Sequence, residues 1–493
     1  MPQVVAALLI VLLAAFYGRM LPVGSLQHVD EYLTLDRVHS LTIRDDWLTI
    51  YSENQPTFKK PPLQYWISAL LMERGLDEEV ALRAPSYVFG IATLFVVGLL
   101  AWLVLPANPW VVPAAILLTA SSKRFWESSI SALLDSGATF FAAVALAGTL
   151  LAVRQPRWWY AVAFACAVGP LQKAPAPLVF SAAAIAAIIL TRAWQDEAPK
   201  RLAARAFRSR HFLISLGIAL LLLLAWPVSL WIYHGSGALE EAYLRQMFGR
   251  FAPGADEQTS KRSIYTLLMA GEPFLRIVAV AAAFWLPWRM RRIDLLSFPG
   301  LVLLYLIVLL AASGFVSPRY SLLLLPILMA SLAAMILVVV PGWRSQIAII
   351  GALSLASLGP FKPASALGLL DEGQTRYIPL LRSVGSTIRP EETLLVCNRS
   401  GGERIYSGAV SVYASAGHRI FRIKSAEQLL RLQEEGAIRP PYRSICSIKQ
   451  FEGLMPVLQG AVVVELQGAF LHWTATGASG VAPEISGGAE EPE

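Results

Sequence analysis

Long apolar runs separated by short charged segments constrain this chain more than any other feature. Hydrophobic residues make up 56% of its 493 residues and charged residues only 15%, a balance that excludes an ordinary soluble globular protein. A helix needs about 20 mostly apolar residues to cross the roughly 30 Å hydrocarbon core of a bilayer. The pattern therefore predicts an all-α, multi-pass membrane protein.

About eleven runs are predicted to span the membrane as helices, and thirteen is the upper count. They cover residues 3–24, 82–105, 109–121, 132–153, 157–172, 174–191, 212–233, 266–288, 294–313, 320–340 and 345–362. The third, fifth and sixth are short for a crossing. We interpret the first as a retained helix, with a cleaved signal peptide as the alternative.

The positions of Lys and Arg predict the orientation, because short cytoplasmic loops carry an excess of these residues. Such residues are concentrated in 192–211 and recur at 154–157, 289–292 and 344, all on one side of the predicted topology. That side is assigned to the cytoplasm. The polar loops and the C-terminal region then lie on the outer face of a cytoplasmic membrane, the bacterial inner membrane with its periplasm.

The region after the last span has a different composition and is predicted to form a small α/β domain. Its β-rich runs are Thr393–Cys397, Val410–Ala414, Ile420–Ile423 and Ala461–Leu466, and Ala426–Glu435 is predicted as a helix. The predicted domains are a membrane domain at 1–363, with outer loops 25–81 and 234–265, an outer domain at 364–476 and a disordered tail at 477–493.

The cysteines and the net charge exclude some classes of partner. The three cysteines show no metal-ligand spacing. Cys397 and Cys446 both lie in the predicted outer domain, and the sequence leaves their pairing open. The formal net charge of +7 comes from basic residues dispersed over loops, so no nucleic-acid partner is expected. No cofactor is predicted, and dependence on a divalent metal stays open.

Many of the isolated ionisable residues fall on the predicted outer side of the membrane. They are Asp30, Glu31, Lys59, Lys60, Lys123, Arg124, Asp135, Lys173, Arg250 and Arg319. A charged group in or beside a span is costly unless it is paired or solvated, and it is a functional candidate for that reason. Asp135 lies inside an apolar run and requires a cationic partner or a bound water. For Lys123, Arg124 and Arg319, the alternative is snorkelling toward the interface.

An ordered series of short motifs resembles the polytopic glycosyltransferases of the GT-C fold, of the aminoarabinose transferase and protein O-mannosyltransferase type. The residues that carry it are Asp30-Glu31, Lys60-Pro61-Pro62-Leu63-Gln64-Tyr65-Trp66, Ala132-Leu133-Leu134-Asp135 with Phe140-Phe141, Leu171-Gln172-Lys173-Ala174-Pro175, Ala225-Trp226-Pro227, Gly249-Arg250-Phe251, and Pro318-Arg319-Tyr320 with Pro326. Two departures are Lys59, where the aminoarabinose branch commonly has an acid, and Ala174, where glycine is usual. The first departure puts a metal site built on that acid in doubt.

The resemblance implies an inverting transfer of a sugar from a polyprenyl-phosphate donor. The sequence leaves the acceptor open among a hydroxyl of a lipid, a glycan or a protein. Such a transfer needs a base for the acceptor hydroxyl and cations for the departing phosphate. We expect Asp30 to be the base, with Glu31 adjacent to it, and Asp135 to orient a cation or the acceptor.

The predicted phosphate ligands are lysines and arginines of the same motifs. Lys60 is the first choice, because its ammonium is a compact cation and the two prolines after it stiffen the backbone. Lys173, Arg250 and Arg319 are further candidates, since an arginine can hold two phosphate oxygens. Tyr65 and Trp66 are candidates for stacking on the substrate, and the alternative for both is an interfacial aromatic belt.

Two other classes of function compete with a transferase. A transporter or flippase of a lipid-linked sugar would also carry charges within the membrane, but it would show an internal repeat and broken helices at the midplane. A silent scaffold could retain the acid and lysine motifs without using them. No nucleotide-binding glycine pattern occurs in a suitable context, which favours a lipid-linked donor and membrane lipids as partners.

Overall fold

The structure is a computed structural model of the chain. It describes residues 1–22, 26, 29–52, 55–173, 175–194, 204–245, 273–311, 318–358, 378–389, 392–397, 407–414, 420–423, 425–439, 442–454, 461–467 and 470–475. Its residues divide into two compact units. The first unit is 1–22 with 58–362, and the second is 23–57 with 363–493. The loop predicted at 25–81 is thus shared between the units.

Helices make up the first unit. In chain order they are α1 (Pro2–Met20), α3 (Leu63–Glu73), α4 (Glu78–Val104), α5 (Val111–Ser121), α6 (Lys123–Ile130), α7 (Asp135–Ala152), α8 (Trp159–Gln172), α9 (Ala176–Trp194), α10 (Arg210–His234), α11 (Ser236–Leu239), α12 (Pro273–Met290), α13 (Ser297–Ala311), α14 (Leu325–Val339) and α15 (Trp343–Leu358). Short 3-10 segments at Pro156–Trp158, Ile293–Leu296 and Pro318–Leu324 and a π-helical turn at Glu240–Arg245 join some of them.

Five helical stretches in the described residues are long and apolar enough to cross a membrane. They are Pro2–Met20, Glu78–Val104, Asp135–Ala152, Arg210–His234 and Arg319–Val339. Helices α5, α9 and α13 supply shorter apolar segments. Each predicted span overlaps one of the helices described, so the apolar pattern placed the helices well. The chain is a multi-pass membrane protein.

The core of the first unit is packed with small and aliphatic side chains. Helix α14 is buried along most of its length and packs on α4, α5 and α12, whereas α7 packs on α4, α8 and α9. Helix α10 has leucines and other large apolar side chains exposed around it. A helix that is apolar on all sides and exposed suits contact with lipid. Helices α7 and α14 are therefore inner helices, and α10 is an outer one.

The second unit contains a five-stranded mixed sheet. Its strands are β3 (Thr393–Cys397), β4 (Ile420–Ile423), β5 (Tyr442–Ser447), β6 (Ala461–Gln467) and β7 (Phe470–Ala475), after the short hairpin of β1 (Tyr51–Ser52) and β2 (Gln55–Pro56). The sheet order is β4-β3-β5-β7-β6, with β3 parallel to β4 and β5, and β7 antiparallel to β5 and β6. Helices α2 (Val29–Arg44), α16 (Ile378–Thr387), α17 (Ser407–Tyr413), α18 (Ala426–Glu434) and α19 (Ile448–Leu454) complete it.

The strand predicted at Val410–Ala414 is wrong, because this segment belongs to helix α17 and the turn after it. Val410 and Ala414 are both completely buried, a spacing of four residues that suits one face of a helix. Helix α17 packs against α2 and α16. A backbone oxygen of Tyr413 also lies so close to Gly385 that no side chain fits there. Tertiary packing therefore decides the helix over the local β-propensity.

Cys397 and Cys446 are joined in a disulfide at the carboxyl ends of the neighbouring parallel strands β3 and β5. Both cysteines are buried in a small apolar core with Leu395, Tyr442 and Phe451. The pairing that the sequence left open is thus present in the structure. The predicted disordered tail at 477–493 lies outside the described residues.

Candidate active site

A buried ion pair joins two of the sequence motifs in the first unit. The Nζ of Lys173 lies 2.5 Å from Oδ1 of Asp135, and the two side chains are 16% and 8% exposed. Asp135 is the first residue of α7, where the helix dipole favours a carboxylate, and Lys173 caps the C-terminal end of α8, where the dipole favours a cation. Lys173 is therefore the cationic partner that Asp135, as a carboxylate in an apolar run, was predicted to need.

An aromatic and cationic cluster surrounds this ion pair. The Nζ of Lys173 also lies 4.7 Å from the ring centroid of Tyr320, a distance at which the ring attracts a cation. The next residue, Ser321, accepts a hydrogen bond from the guanidinium of Arg276, which is 3% exposed. Tyr305 lies within electrostatic range of Arg276, Tyr320 and Asp135. The hydroxyl of Tyr305 is buried and has no hydrogen-bond partner among the described residues.

The local sequence explains how the 3-10 segment at Pro318–Leu324 presents its polar side chains. Pro318 begins the segment with a fixed φ, and Arg319, Tyr320 and Ser321 follow within one turn. Arg319 and Tyr320 are half-buried and Ser321 is buried. Helix α14 continues directly from this segment, so these residues stand at the end of a buried helix. That placement brings Tyr320 to Lys173 and Ser321 to Arg276.

The segment that contains Lys60 leads directly into helix α3. Lys60 is half-buried, Lys59 is exposed, and Pro62 is the residue that caps α3. Tyr65 is completely buried and Trp66 is half-buried. Of the two aromatic residues, Trp66 is therefore the one with surface available to a substrate. Lys60 is thus less exposed than Lys59.

The acid pair Asp30-Glu31 belongs to the second unit and begins helix α2. Both residues lie in the first turn of α2, a helix within the region that the sequence predicted as an outer loop. The helix forms because Tyr32, Leu35, Val38 and Leu41 recur every three residues and are all buried. Both carboxylates are favoured there by the helix dipole.

The two carboxyl groups differ in exposure. Asp30 is half-buried, whereas Glu31 is only 2% exposed. Consecutive residues of a helix point about 100° apart, so the two side chains have different surroundings. Asp30 therefore has more exposed surface than Glu31. The backbone oxygen of Asp30 accepts a hydrogen bond from Thr34 at 2.8 Å, which reinforces the first turn.

Other candidates from the sequence have different outcomes. Arg250 lies outside the described residues. Lys123 and Arg124 both lie near Glu127, at 3.5 and 3.8 Å, as local pairs of helix α6. No group of three or more His, Cys, Asp and Glu side chains suited to a metal ion occurs within the part of the chain that the structure describes.

Sequence reasoning missed Arg276 and Tyr305. Arg276 is a charged residue within the apolar helix α12. Because burying a charge is costly, its position marks it as a functional candidate in the same way as that of Asp135. Tyr305 carries no comparable signal, because a tyrosine in an apolar run is usually a packing residue. Only the approach of α13 to the other helices brings it near Arg276 and Tyr320.

Comparison with solved structures finds this fold in membrane glycosyltransferases. ArnT from Cupriavidus metallidurans in the apo state aligns with a TM-score of 0.68 at 15% identity, covering 95% of this chain and 97% of that chain. ArnT bound to undecaprenyl phosphate aligns with the same TM-score at 14% identity, covering 96% and 99%. The archaeal oligosaccharyltransferase AglB from Archaeoglobus fulgidus, in complex with an inhibitory peptide and a dolichol-phosphate, aligns with a TM-score of 0.58 at 11% identity, covering 90% and 69%.

No protein-family model and no curated protein matches the chain by sequence. The structural likenesses extend over nearly the whole chain, and they show that the chain has the GT-C fold. The fold that the motif resemblance implied is therefore confirmed.

Proposed function

We propose that this protein is a membrane glycosyltransferase that moves a sugar from a polyprenyl-phosphate donor to a hydroxyl acceptor. The observation that carries the proposal is the buried Asp135–Lys173 ion pair, with Tyr320, Arg276 and Tyr305 around it, within a GT-C fold. Two proteins that share the fold have structures with a polyprenyl phosphate, one with undecaprenyl phosphate and the other with dolichol-phosphate.

The cations of the cluster suit a phosphate whose negative charge grows as the sugar leaves it. When the bond between the anomeric carbon and the phosphate oxygen breaks, the phosphate takes the electron pair, and positioned cations stabilise the added charge. Lys173 is held by Asp135 and by the ring of Tyr320, so little reorganisation is needed at that moment. We assign Lys60, Lys173, Arg276 and Arg319 to this role, together with Arg250 from the motif resemblance.

Asp30 is proposed as the base of an inverting displacement. Its carboxylate would accept the proton of the acceptor hydroxyl as the hydroxyl oxygen attacks the anomeric carbon. Attack and departure then occur on opposite faces of the sugar, which inverts the configuration. The partial exposure of Asp30 supports this role over Glu31, which is buried. The acceptor is a lipid, a glycan or a protein.

The proposed location is the bacterial inner membrane, with the second unit on the outer, periplasmic face. The Cys397–Cys446 disulfide supports this location, because disulfides persist in oxidising compartments and are rare in the cytosol. Loops rich in Lys and Arg then remain on the cytoplasmic side, as the positive-inside rule requires.

The test is a transfer assay with purified protein in detergent, a panel of radiolabelled polyprenyl-phosphate sugars and a membrane extract as the source of acceptors. We expect label from one donor to move to an acceptor with the parent protein and to stay on the donor with Asp30→Asn. If no donor gives transfer and the protein instead moves a lipid-linked sugar across reconstituted vesicles, a transporter replaces the transferase.

A further inference from the structure

Two fully buried glutamines connect the motifs of the candidate site. The Nε2 of Gln172 donates to Oε1 of Gln64 at 2.8 Å and lies 3.2 Å from the backbone oxygen of Leu134. The Nε2 of Gln64 donates to the hydroxyl of Ser86 at 3.2 Å, and that hydroxyl donates to the backbone oxygen of Leu133 at 2.8 Å. These side chains form a continuous network, which we call the glutamine clasp (Gln64, Ser86 and Gln172).

The clasp lies where the proposed phosphate ligands enter the fold. Gln172 directly precedes Lys173, and Gln64 is the second residue of α3, four positions after Lys60. The two carbonyl groups that the clasp contacts, those of Leu133 and Leu134, directly precede Asp135. One network thus connects the start of α3, the end of α8 and the start of α7.

The backbone makes room for this arrangement. A Cβ atom added to Gly137 would lie 2.5 to 2.7 Å from the side-chain carbon and nitrogen atoms of Gln172, closer than real Cβ contacts allow. Gly137 is in the first turn of α7, beside Asp135. Only glycine at this position lets the amide of Gln172 reach across the helix to Leu134.

Stability alone does not explain two buried amides in an apolar helical bundle. A buried amide loses its hydration, and it is favourable only when all its groups are bonded. Gln172 fails this condition, because its Oε1 has no partner among the described residues. Apolar residues of similar volume would bury the same space without that cost. The directional hydrogen bonds therefore have a use other than packing.

We infer that Gln64 and Gln172 are positioning residues for sugar transfer, and that the clasp holds the segments of Lys60 and Lys173 in register with Asp135. The inference rests on the proposed function and deepens it. A lysine displaced by even about 1 Å loses much of its effect on a reacting phosphate. The clasp contributes to the reaction without touching the substrate.

The test compares Gln64→Leu, Gln172→Leu and the double variant with the parent protein. Each single variant leaves a buried amide without its partner, so we expect lower thermal stability and transfer reduced about tenfold or more. The double variant removes both amides, so its stability returns toward that of the parent. We expect its kcat to remain low, because two leucines make no directional hydrogen bonds that hold the segments of Lys60 and Lys173 in place relative to Asp135.

Thr149→Val is the matched control. Thr149 lies in the same helix α7 and shares a 2.8 Å hydrogen bond with Ser181 in a buried setting, about 20 Å along the helix from Asp135. We expect this control to lower stability with little change in kcat. Gly137→Ala is a second perturbation, and we expect it to displace Gln172 and lower kcat in the same way.

A double variant that regains both stability and kcat would overturn the inference and leave the clasp a packing feature. Transfer that falls in Thr149→Val as far as in Gln172→Leu would also overturn it. Affinity of the parent protein for undecaprenyl phosphate, measured in parallel, distinguishes a failure of the proposed function from a failure of the inference. A parent that neither binds this lipid nor transfers sugar contradicts the proposed function, whereas an active parent with insensitive clasp variants contradicts the inference alone.

Discussion

The ion pair of Asp135 and Lys173 gives the site its most clearly defined charge arrangement. Both side chains are largely buried and 2.5 Å apart. Each charge therefore neutralises the other in an interior where an isolated charge is costly. The carboxylate also fixes the direction of the lysine. Neither residue can change without consequences for the other, and this dependence gives a direct prediction.

Asp135→Asn is expected to reduce transfer by about tenfold or more and to destabilise the fold by about 3 kcal/mol. The physical reason is that Lys173 is left as a buried cation without its counter-charge. The measurements are the initial rate of transfer and the thermal midpoint in detergent. Glu127→Gln serves as the control, because Glu127 pairs with Lys123 at 3.5 Å at a partly exposed position, where such pairs contribute little.

Asp30→Asn is expected to abolish transfer while leaving affinity for the donor nearly unchanged. The amide keeps the shape of the side chain but cannot accept a proton at neutral pH. Transfer rate and donor affinity are measured on the same preparation. Asp45→Asn is a suitable control, since Asp45 is exposed and has a φ of 52°, which asparagine tolerates well. Transfer at the parent rate in Asp30→Asn would remove Asp30 from the mechanism.

The sequence identifies Asp135 and Lys173 because a charged residue at the edge of an apolar run is conspicuous by itself. It does not show which opposite charges meet, since that depends on how α7 and α8 pack. Arg276 has the same signal and was overlooked, whereas Tyr305 has none. The glutamine clasp could not be predicted from separate motifs, because Gln64 and Gln172 are separated by 107 intervening residues and only the fold brings them into contact.

At the scale of elements, strand β7 contains a buried histidine. His472 is 1% exposed, and neither of its ring nitrogens has a hydrogen-bond partner among the described residues. Burial and, to a smaller extent, the charge of Arg443 lower its pKa to about 4, whereas Glu392 acts in the opposite direction. The folded second unit therefore favours the neutral imidazole.

The stability of the second unit is consequently expected to fall with acidification. An unfolded histidine binds a proton below about pH 6.5, and the folded one does so only near pH 4. Between these values the unfolded state holds more protons, so up to about 3 kcal/mol of stability present above pH 6.5 is lost on the way to pH 4. The thermal midpoint is measured from pH 7.5 to 4.5.

His472→Leu is expected to flatten this dependence between pH 6.5 and 4.5, because leucine does not titrate. A parent protein with the same thermal midpoint at pH 5 and pH 7.5 would contradict the assignment to His472. The variant also controls for other groups, since their contribution persists when the histidine is absent.

Some helices and strands could be predicted from the sequence, and others could not. Apolar runs place the helices of the first unit because lipid requires continuous helices of a minimum length. Helix α2 was missed although Tyr32, Leu35, Val38 and Leu41 have helical spacing, since the polar residues between them dominate the composition. Strands β5 and β7 were also missed. Both are short, and β5 makes its hydrogen bonds to β3 and β7, which are distant in the sequence.

At the scale of the whole molecule, the division into two units follows contacts rather than chain order. Residues 23–57 belong with 363–493, although more than 300 residues separate them along the chain. Within that unit, α2 packs against α17, and Ser52 donates a hydrogen bond to Asp36 at 2.8 Å. A linear reading assigns the loop to its neighbouring spans, because hydropathy carries no information on such long-range packing.

The proposed sugar transfer depends on the binding of a polyprenyl phosphate at the cluster around Lys173. The most direct measurement is a titration of undecaprenyl phosphate into the protein reconstituted in nanodiscs, for the parent and for Lys173→Gln. We predict saturable binding by the parent and an affinity at least about tenfold lower in the variant, since an uncharged amide replaces the cation that we propose as a phosphate ligand. Binding of equal strength by both proteins, or none by the parent, would contradict the account.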